Sequence, residues 1–180
     1  AVPINILPPA LQRFTCATTA MATFPTGFAS ISTITYIELY WSNIEVLPSN
    51  LTDLRFIRIL TLNGNRISHL PDLSPMVNLQ YLYLNGNRLS SISDMVNPAP
   101  VWILRLENNM LTTLPEFADG TQIYLEGNPL ECNVSLCWIR MTTWMGTNIG
   151  VRRDSPVCAS PLAVADQLLM EVYPVVMECY

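Results

Sequence analysis

The chain has 180 residues, half of them hydrophobic, and carries 14 acidic and nine basic side chains for a net charge of −5. This length and apolar content suffice for one compact domain with a full core, which argues against a disordered chain. The acidic balance disfavours nucleic acids and anionic membranes as partners, because both attract a basic face. All nine basic residues are arginines. Either neutral drift or a large protein contact, where arginine is preferred to lysine, accounts for the low charge.

Several features indicate a secreted chain. No apolar run reaches about 18 residues without a proline or a charge, so no membrane span is predicted. The chain begins at Ala1 without an initiator methionine, as we expect once a signal peptide has been removed. N-glycosylation sequons occur at Asn50 and Asn133. We therefore expect an extracellular protein with N-glycans at these two positions.

A repeat with a period of 19 to 23 residues organises the chain, and its clearest copies are LTLNGNRISHLP at 60–71 and LYLNGNRLSSIS at 82–93. Aligning them gives a template with apolar residues at positions 1, 4, 6, 11 and 14 and asparagine at position 9. Six repeats fit this template over residues 11–127. They start near residues 11, 34, 57, 79, 101 and 120.

The template resembles the extracellular leucine-rich-repeat family, whose repeats have about 20 to 29 residues. The apolar pair at positions 4 and 6 is the inward face of a short strand, which is buried only by stacking on identical neighbours. The fold class expected is therefore an α/β repeat protein: a leucine-rich-repeat solenoid with a concave parallel β-sheet and an irregular convex side. Leu-Pro pairs at 47–48, 70–71 and 114–115 turn the chain onto that convex side.

Asparagine at position 9 suits the corner after each strand, because its amide both donates to and accepts from backbone groups. Ser42 and Thr19 replace it in the second and first repeats. We therefore expect a weaker corner at the N-terminal end of the solenoid.

Residues 128–180 resemble the family's cysteine-rich C-terminal cap, which here starts with NPLECNVSLCWIR. The resemblance implies two disulfides, Cys132–Cys158 and Cys137–Cys179. One departure is that the family cap opens CxC, whereas four residues separate the first two cysteines here. A zinc site is the alternative for four cysteines, but neither CxxC pairs nor clustered histidines accompany them.

Two further features concern the ends of the solenoid. Trp138, Ile139 and Trp144 are expected to form the apolar face of a helix in the C-terminal cap. Residues 1–10 lack the family's cysteine-rich N-terminal cap, so either residues 3–7 cover the open end as a minimal capping strand or another chain does. Cys16, the fifth cysteine, occupies the inward position 6, which favours a buried free thiol; an intermolecular disulfide is the alternative.

Groups for catalysis are scarce in this sequence. The one histidine, His69, adjoins a convex turn, where an exposed polar role is expected. Motifs of serine hydrolases, zinc proteases and nucleotide-binding enzymes are absent. Glu38, Glu107 and Glu126 could supply carboxylates, but they belong to strands of different repeats. We expect no enzyme activity, no cofactor and no metal.

Positions 3, 5 and 7 should point away from the core on the concave side, and five of the seven tyrosines occupy them. Tyrosine and tryptophan supply a large, rigid contact area, so this face is the candidate site for a protein or glycan ligand. The alternative is that the aromatic residues only stiffen the sheet through cross-strand pairs. The candidate residues are Tyr36, Glu38, Tyr40, Trp41, Ile59, Tyr81, Tyr83, Ile103, Arg105, Glu107, Tyr124 and Glu126; the same face carries Thr61, Asn63, Asn85 and Gln122.

Two functions remain open from the sequence. The first is a secreted module that recognises a macromolecular ligand through its concave face. The second is a structural subunit of an extracellular assembly or matrix, a homo- or hetero-oligomer in which neighbours bury the N-terminal edge and the weakly charged surfaces.

Overall fold

The computed structural model describes residues 8, 10–18, 20–92, 101–115, 117 and 121–131, together with the backbone of residues 158–160. Six strands form one sheet in the order in which they occur along the chain, and every neighbouring pair is parallel. They are β1 Arg13–Ala17, β2 Tyr36–Tyr40, β3 Ile59–Thr61, β4 Tyr81–Tyr83, β5 Ile103–Arg105 and β6 Gln122–Tyr124.

The register between strands follows the sequence repeat. Arg13 pairs with Tyr36, Tyr36 with Ile59, and Ile59 with Tyr81, so that equivalent positions of successive repeats lie side by side. Each repeat thus contributes one strand, and the chain advances along the sheet without a crossover. The prediction of a parallel sheet in a solenoid is confirmed.

The core lies on one side of this sheet and runs through all the described repeats as a single apolar cluster. Leu60, Leu62, Leu82 and Leu84, at positions 4 and 6 of two neighbouring repeats, are each 0% exposed. Full burial of a leucine contributes about 1.5–3 kcal/mol. No repeat could bury this face alone, so the stability of each repeat depends on its neighbours.

A ladder of buried asparagines closes the corner after strands β3 to β6. Asn65 donates from Nδ2 to the carbonyl oxygen of Leu62 in its own repeat, at 2.9 Å, and to that of Leu39 in the preceding repeat, at 2.7 Å. Its Oδ1 accepts from the backbone N–H of Ser42 at 3.1 Å and of Ile44 at 3.0 Å. One amide therefore satisfies four buried backbone groups and joins two repeats.

The same pattern of donors and acceptors recurs in the next three repeats. Each amide Nδ2 donates to the position-6 carbonyls of its own and of the preceding repeat, and each Oδ1 accepts from the position-11 N–H of the preceding repeat. The asparagines concerned are Asn87, Asn109 and Asn128. Ser42 is fully buried at the same corner and donates to the carbonyl oxygen of Tyr40. A hydroxyl has one donor where an amide has two, so a serine cannot donate to two carbonyls as the asparagines do.

The convex side is irregular, as predicted. It contains two 3-10 helices, Thr26–Ser30 and Ser49–Asp53, the second beginning after Pro48. Proline supplies no backbone donor, which disfavours a regular helix in these segments. Within the described ranges there is no α-helix, so the helical part of the predicted α/β class is not seen there.

The two predicted ends of the solenoid fall largely outside the described residues. These include residues 3–7 as a capping strand, both disulfides, Asn133 and the cap helix with Trp138, Ile139 and Trp144. Of the C-terminal region, a short parallel pair is described, β7 Leu130–Glu131 with β8 Cys158–Ser160.

Replacing Asn65 with alanine should destabilise the protein by about 2–4 kcal/mol. The reason is that buried backbone groups that lose their partner cost about 1–3 kcal/mol each, and neighbouring groups relax to recover part of this. Urea unfolding monitored by circular dichroism measures the difference.

Asn63→Ala is the matched control, two residues earlier in the same repeat. The Asn63 side chain is half-buried and forms no hydrogen bond to another described residue, so its loss should change stability by less than about 0.5 kcal/mol. Equal effects of the two substitutions would contradict the role assigned to the asparagine ladder.

Candidate functional site

The sheet face opposite the core consists of residues at positions 3, 5 and 7, and we call it the concave face after its place in the predicted solenoid. Its residues within strands β2 to β6 are half-buried, whereas their neighbours at position 4 are buried. The sequence analysis placed positions 3, 5 and 7 together on the sheet, but β3 to β6 end at position 5. The position-7 residues Asn63, Asn85, Glu107 and Glu126 therefore lie just beyond the strands, where inter-repeat backbone hydrogen bonds continue.

Tyr81 lies in the middle of this face and has close neighbours on both sides. In the register it is flanked by Ile59 and Ile103. Its ring also meets Trp102 edge to face, with the ring centroids 6.0 Å apart. Aromatic residues opposite β-branched ones stabilise a sheet by about 0.2–1 kcal/mol per pair. For Tyr81, sheet stabilisation therefore explains part of its presence.

Tyr83 has a different environment. It lies between Thr61 and Arg105, which are both polar. The hydroxyl groups of Tyr40, Tyr83 and Tyr124 form no hydrogen bond to any described residue. In the strand register, no tyrosine lies opposite another tyrosine. These three rings thus present unpaired polar groups rather than a stacked aromatic ladder.

A cluster around the ion pair of Arg13 and Glu38 lies at the N-terminal part of the concave face. Glu38 Oε2 accepts from Arg13 Nη2 at 3.1 Å and from Thr15 Oγ1 at 2.7 Å. The Arg13 guanidinium lies 4.2 Å from the ring centroid of Tyr36. Burial opposes ionisation of Glu38, but hydrogen bonds from Thr15, Arg13 and Tyr36 outweigh burial, so the pKa of Glu38 is lowered. The carboxylate is therefore ionised and fully engaged within the protein.

In a second cluster, at the C-terminal part of the face, the pKa of a glutamate is raised rather than lowered. Arg105 Nη1 donates to Glu107 Oε1 at 3.2 Å, and its guanidinium lies 4.6 Å from the ring centroid of Tyr124. Glu107 Oε2 and Glu126 Oε2 are buried without a hydrogen-bond partner among the described residues. Burial raises the pKa of Glu107, and the nearby Glu126 carboxylate raises it further, against the effect of Arg105.

The structure changes the interpretation of the three candidate glutamates. They do lie in different repeats, but Glu107 and Glu126 occupy the same position in neighbouring repeats, and the Glu126 carboxylate raises the pKa of Glu107. Glu38 lies apart from them, in the cluster with Arg13. Location in different repeats thus does not keep two side chains apart when the repeats are adjacent and in register.

Directly after position 7, the backbone turns into the left-handed conformation in each of the six repeats. Three of these residues are glycines, the type that adopts it without a steric penalty. The others are not, and Trp41, with φ of 54°, is the bulkiest. The six residues are Thr18, Trp41, Gly64, Gly86, Asn108 and Gly127.

Trp41 combines this backbone with a largely exposed side chain, which is 62% accessible. Its indole lies directly over Gly64, where an added Cβ would come within 2.6 Å of two ring carbons. The sequence placed Trp41 just beyond the concave face but did not single out its backbone. The signal was present, because glycine precedes the corner asparagine in three other repeats, at 64, 86 and 127.

Other predicted sites are placed as follows. Within the described part of the chain Cys16 is a free thiol, but it is half-buried rather than buried because β1 is the edge strand and covers the core from one side only. His69 is exposed and lies 2.8 Å from the hydroxyl of Ser68. Asn50 is exposed in the second 3-10 helix.

The described residues contain no group of three or more histidine, cysteine or acidic side chains placed to hold a metal ion. No helix among them has the length and apolar character needed to span a bilayer.

Comparison with known proteins identifies the repeat. A family model described as Leucine Rich Repeat matches residues 78–97. Among similar solved structures is a leucine-rich-repeat protein of Leptospira interrogans, with a TM-score of 0.68 and 28% sequence identity over 74% of this chain. The chain spans 36% of the length of that protein. No curated protein matches. The chain thus contains a leucine-rich repeat and shares the fold of a leucine-rich-repeat protein; such domains commonly mediate protein binding and are typically not enzymes.

Replacing Glu107 with glutamine should remove a pH-dependent destabilisation. Because the pKa of Glu107 is raised in the folded protein, this group favours folding below its ordinary pKa, and that contribution is lost as the pH rises through the folded-state value. The free energy of unfolding of the variant relative to the wild type should therefore increase as the pH rises from the ordinary glutamate pKa through the raised folded-state pKa of Glu107. Urea unfolding at several pH values measures it, and a pH-independent difference would contradict the assignment.

Glu38→Gln serves as the control of opposite sign. The lowered pKa of Glu38 means that its ionised form stabilises the fold above the ordinary glutamate pKa and that this contribution is lost as the pH falls. This variant should be less stable than the wild type near neutral pH, and the difference should shrink on acidification.

Proposed function

We propose that the chain is a secreted, non-enzymatic binding module that recognises a protein ligand through its concave face. The observation that carries the proposal is the set of half-buried tyrosines on one sheet face, several with hydroxyl groups that no described residue engages. Tyrosine is enriched at protein interfaces because it offers a large, rigid contact area together with a polar group. The core and the asparagine ladder do not require tyrosine at these positions.

Preorganisation of the face supports the same function. Arg13 and Arg105 each lie over a tyrosine ring and bond to a glutamate. Each arginine thus restricts a neighbouring side chain before a ligand arrives, which lowers the entropy lost on binding. Such contacts contribute about 0.5–1 kcal/mol at exposed positions. The face is therefore held in shape by its own polar contacts.

Secretion is supported by two kinds of residue. The sequon at Asn50 lies in an exposed 3-10 helix, where a glycan has room. The four cysteines from Cys132 to Cys179 are an even set, as expected for disulfides in an oxidising compartment. Their pairing, Cys132 with Cys158 and Cys137 with Cys179, belongs to this proposal, as does glycosylation at Asn133.

One observation favours the second candidate function, a structural subunit of an extracellular assembly. Leu11, Phe14, Cys16 and Met21 pack against the core but are only partly buried, whereas the equivalent residues of the following repeats are buried. The first repeat thus presents apolar side chains and the edge of β1 at one end of the sheet. A neighbouring subunit would bury such an edge.

Tyr83→Ala should abolish capture of the protein ligand, with a small change in thermal midpoint. Its polar neighbours in the register leave Tyr83 little structural role. The measurement is affinity capture from the native extracellular fluid, in which proteins retained by the wild type are compared with those retained by the variant. Phe56→Ala, which removes an aromatic ring that is 55% exposed outside the concave face, should capture the same protein as the wild type. A protein lost equally with both variants, or retained by Tyr83→Ala, would contradict the proposal.

Size-exclusion chromatography with light scattering separates the two functions. A binding module is expected to elute as a monomer of 20.2 kDa plus any glycans. A stable oligomer that persists on dilution would instead support the structural subunit and contradict a monomeric module.

A further inference from the structure

Trp41 combines two unfavourable features, a left-handed backbone and a largely exposed indole. A non-glycine residue in the left-handed conformation costs about 1–2 kcal/mol, and this one also leaves 62% of a large apolar side chain exposed. Glycine occupies the same position in three other repeats with φ of 67° to 70°. Strained residues of this kind persist where they serve a function.

Gly64 holds the indole in place. The six-membered ring covers the position that a Cβ would occupy at Gly64, so the absence of a side chain there creates the support on which the ring lies. The backbone N–H of Trp41 donates to the Asn63 carbonyl oxygen at 3.1 Å, which fixes this corner to the next repeat. One face of the indole therefore rests on the protein, and the ring remains largely open to solvent.

Two amides continue the row from Trp41 along the sheet. Asn63 and Asn85 occupy position 7 of the next two repeats, and the backbone N–H of Gly64 donates to the Asn85 carbonyl oxygen at 2.8 Å. Adjacent strands are about 4.8 Å apart, so the two side chains are spaced by about one strand. Both are half-buried, and neither side-chain amide bonds to a described residue. We call Trp41, Asn63 and Asn85 the indole–amide ledge.

We infer that the indole–amide ledge binds an uncharged glycan, with one sugar ring stacked on the indole and neighbouring hydroxyl groups bonded to the two amides. A pyranose ring presents C–H groups on its face, which pack on an aromatic ring, and hydroxyl groups at its rim. Each amide supplies both donors and an acceptor, as hydroxyl groups require. The ledge contains no charged side chain, so it offers a charged ligand no ion pair. This site goes beyond the protein ligand proposed above, because it assigns a different ligand class to Trp41 and to two position-7 residues at the border of the concave face.

The test is calorimetric titration of the whole protein with four uncharged oligosaccharides: hexamers of N-acetylglucosamine, of β-1,4-glucose, of α-1,4-glucose and of β-1,4-mannose. At least one should bind the wild type. Trp41→Gly should weaken that binding at least tenfold without lowering the thermal midpoint, because glycine is the residue of three other repeats at this position. Asn63→Ala and Asn85→Ala should each weaken it about threefold to tenfold, as expected for a lost hydrogen bond.

Trp102→Ala is the matched control, because it removes an indole of similar exposure, 50%, that precedes strand β5. It should bind the same oligosaccharide within twofold of the wild type. The proposal is overturned if none of the four sugars binds, if Trp41→Gly binds as well as the wild type, or if Trp102→Ala is the variant that loses binding. The titration contains no protein ligand, so its result is independent of the capture experiment. Loss of protein capture in Trp41→Gly without sugar binding by the wild type would assign the ledge to the protein interface instead.

Discussion

The structure depends on one buried side chain per repeat. From the third repeat to the sixth, this residue is an asparagine that donates to carbonyl groups of two repeats and accepts from the backbone of the preceding one. A backbone that leaves a strand and turns a corner inside the protein has no water to satisfy its polar groups, and unmade hydrogen bonds there are costly. The asparagine amide resolves this at every corner from the third repeat to the sixth, and it fixes the distance and register between successive strands. The leucines at positions 4 and 6 can pack only because this register is kept.

This constraint divides the residues of each repeat into two sets. Inward positions are occupied by the apolar core and the asparagine ladder, and they leave little choice of side chain. At the outward positions 3, 5 and 7, neither core packing nor the asparagine ladder determines the residue type. These side chains can therefore serve another function. The second set contains the tyrosines, the two arginine–glutamate pairs, and the amides of Asn63 and Asn85, which bond to no described residue. Binding is therefore the function that the scaffold leaves room for, in agreement with the common role of leucine-rich-repeat domains.

The concave face is not uniform along the sheet. At its N-terminal part Glu38 is surrounded by donors and ionises readily, whereas at its C-terminal part Glu107 is buried near Glu126 with too few donors. Between these clusters, the residues at positions 3, 5 and 7 of the third and fourth repeats are uncharged. The left-handed corner runs along one border of the face, and it accommodates Trp41 only because Gly64 next to it has no side chain. A protein ligand and a glycan would thus meet different chemistry on adjacent parts of one surface.

The sequence by itself determined the repeat, the inward-facing residues and the corner asparagines. Each of these recurs at a fixed position of the repeat, and such a pattern can be recognised without knowing any tertiary contact. It also located the tyrosines on one face, since alternation along a strand follows from backbone geometry. Only the tertiary structure decided which outward residues meet. Four features arise between repeats or at the sheet edge: the placement of Arg105 over Tyr124, the effect of Glu126 on the pKa of Glu107, the support of Trp41 by Gly64, and the partial burial of Cys16. Such contacts depend on the register and on the neighbours of each strand, and both are set only when the repeats stack.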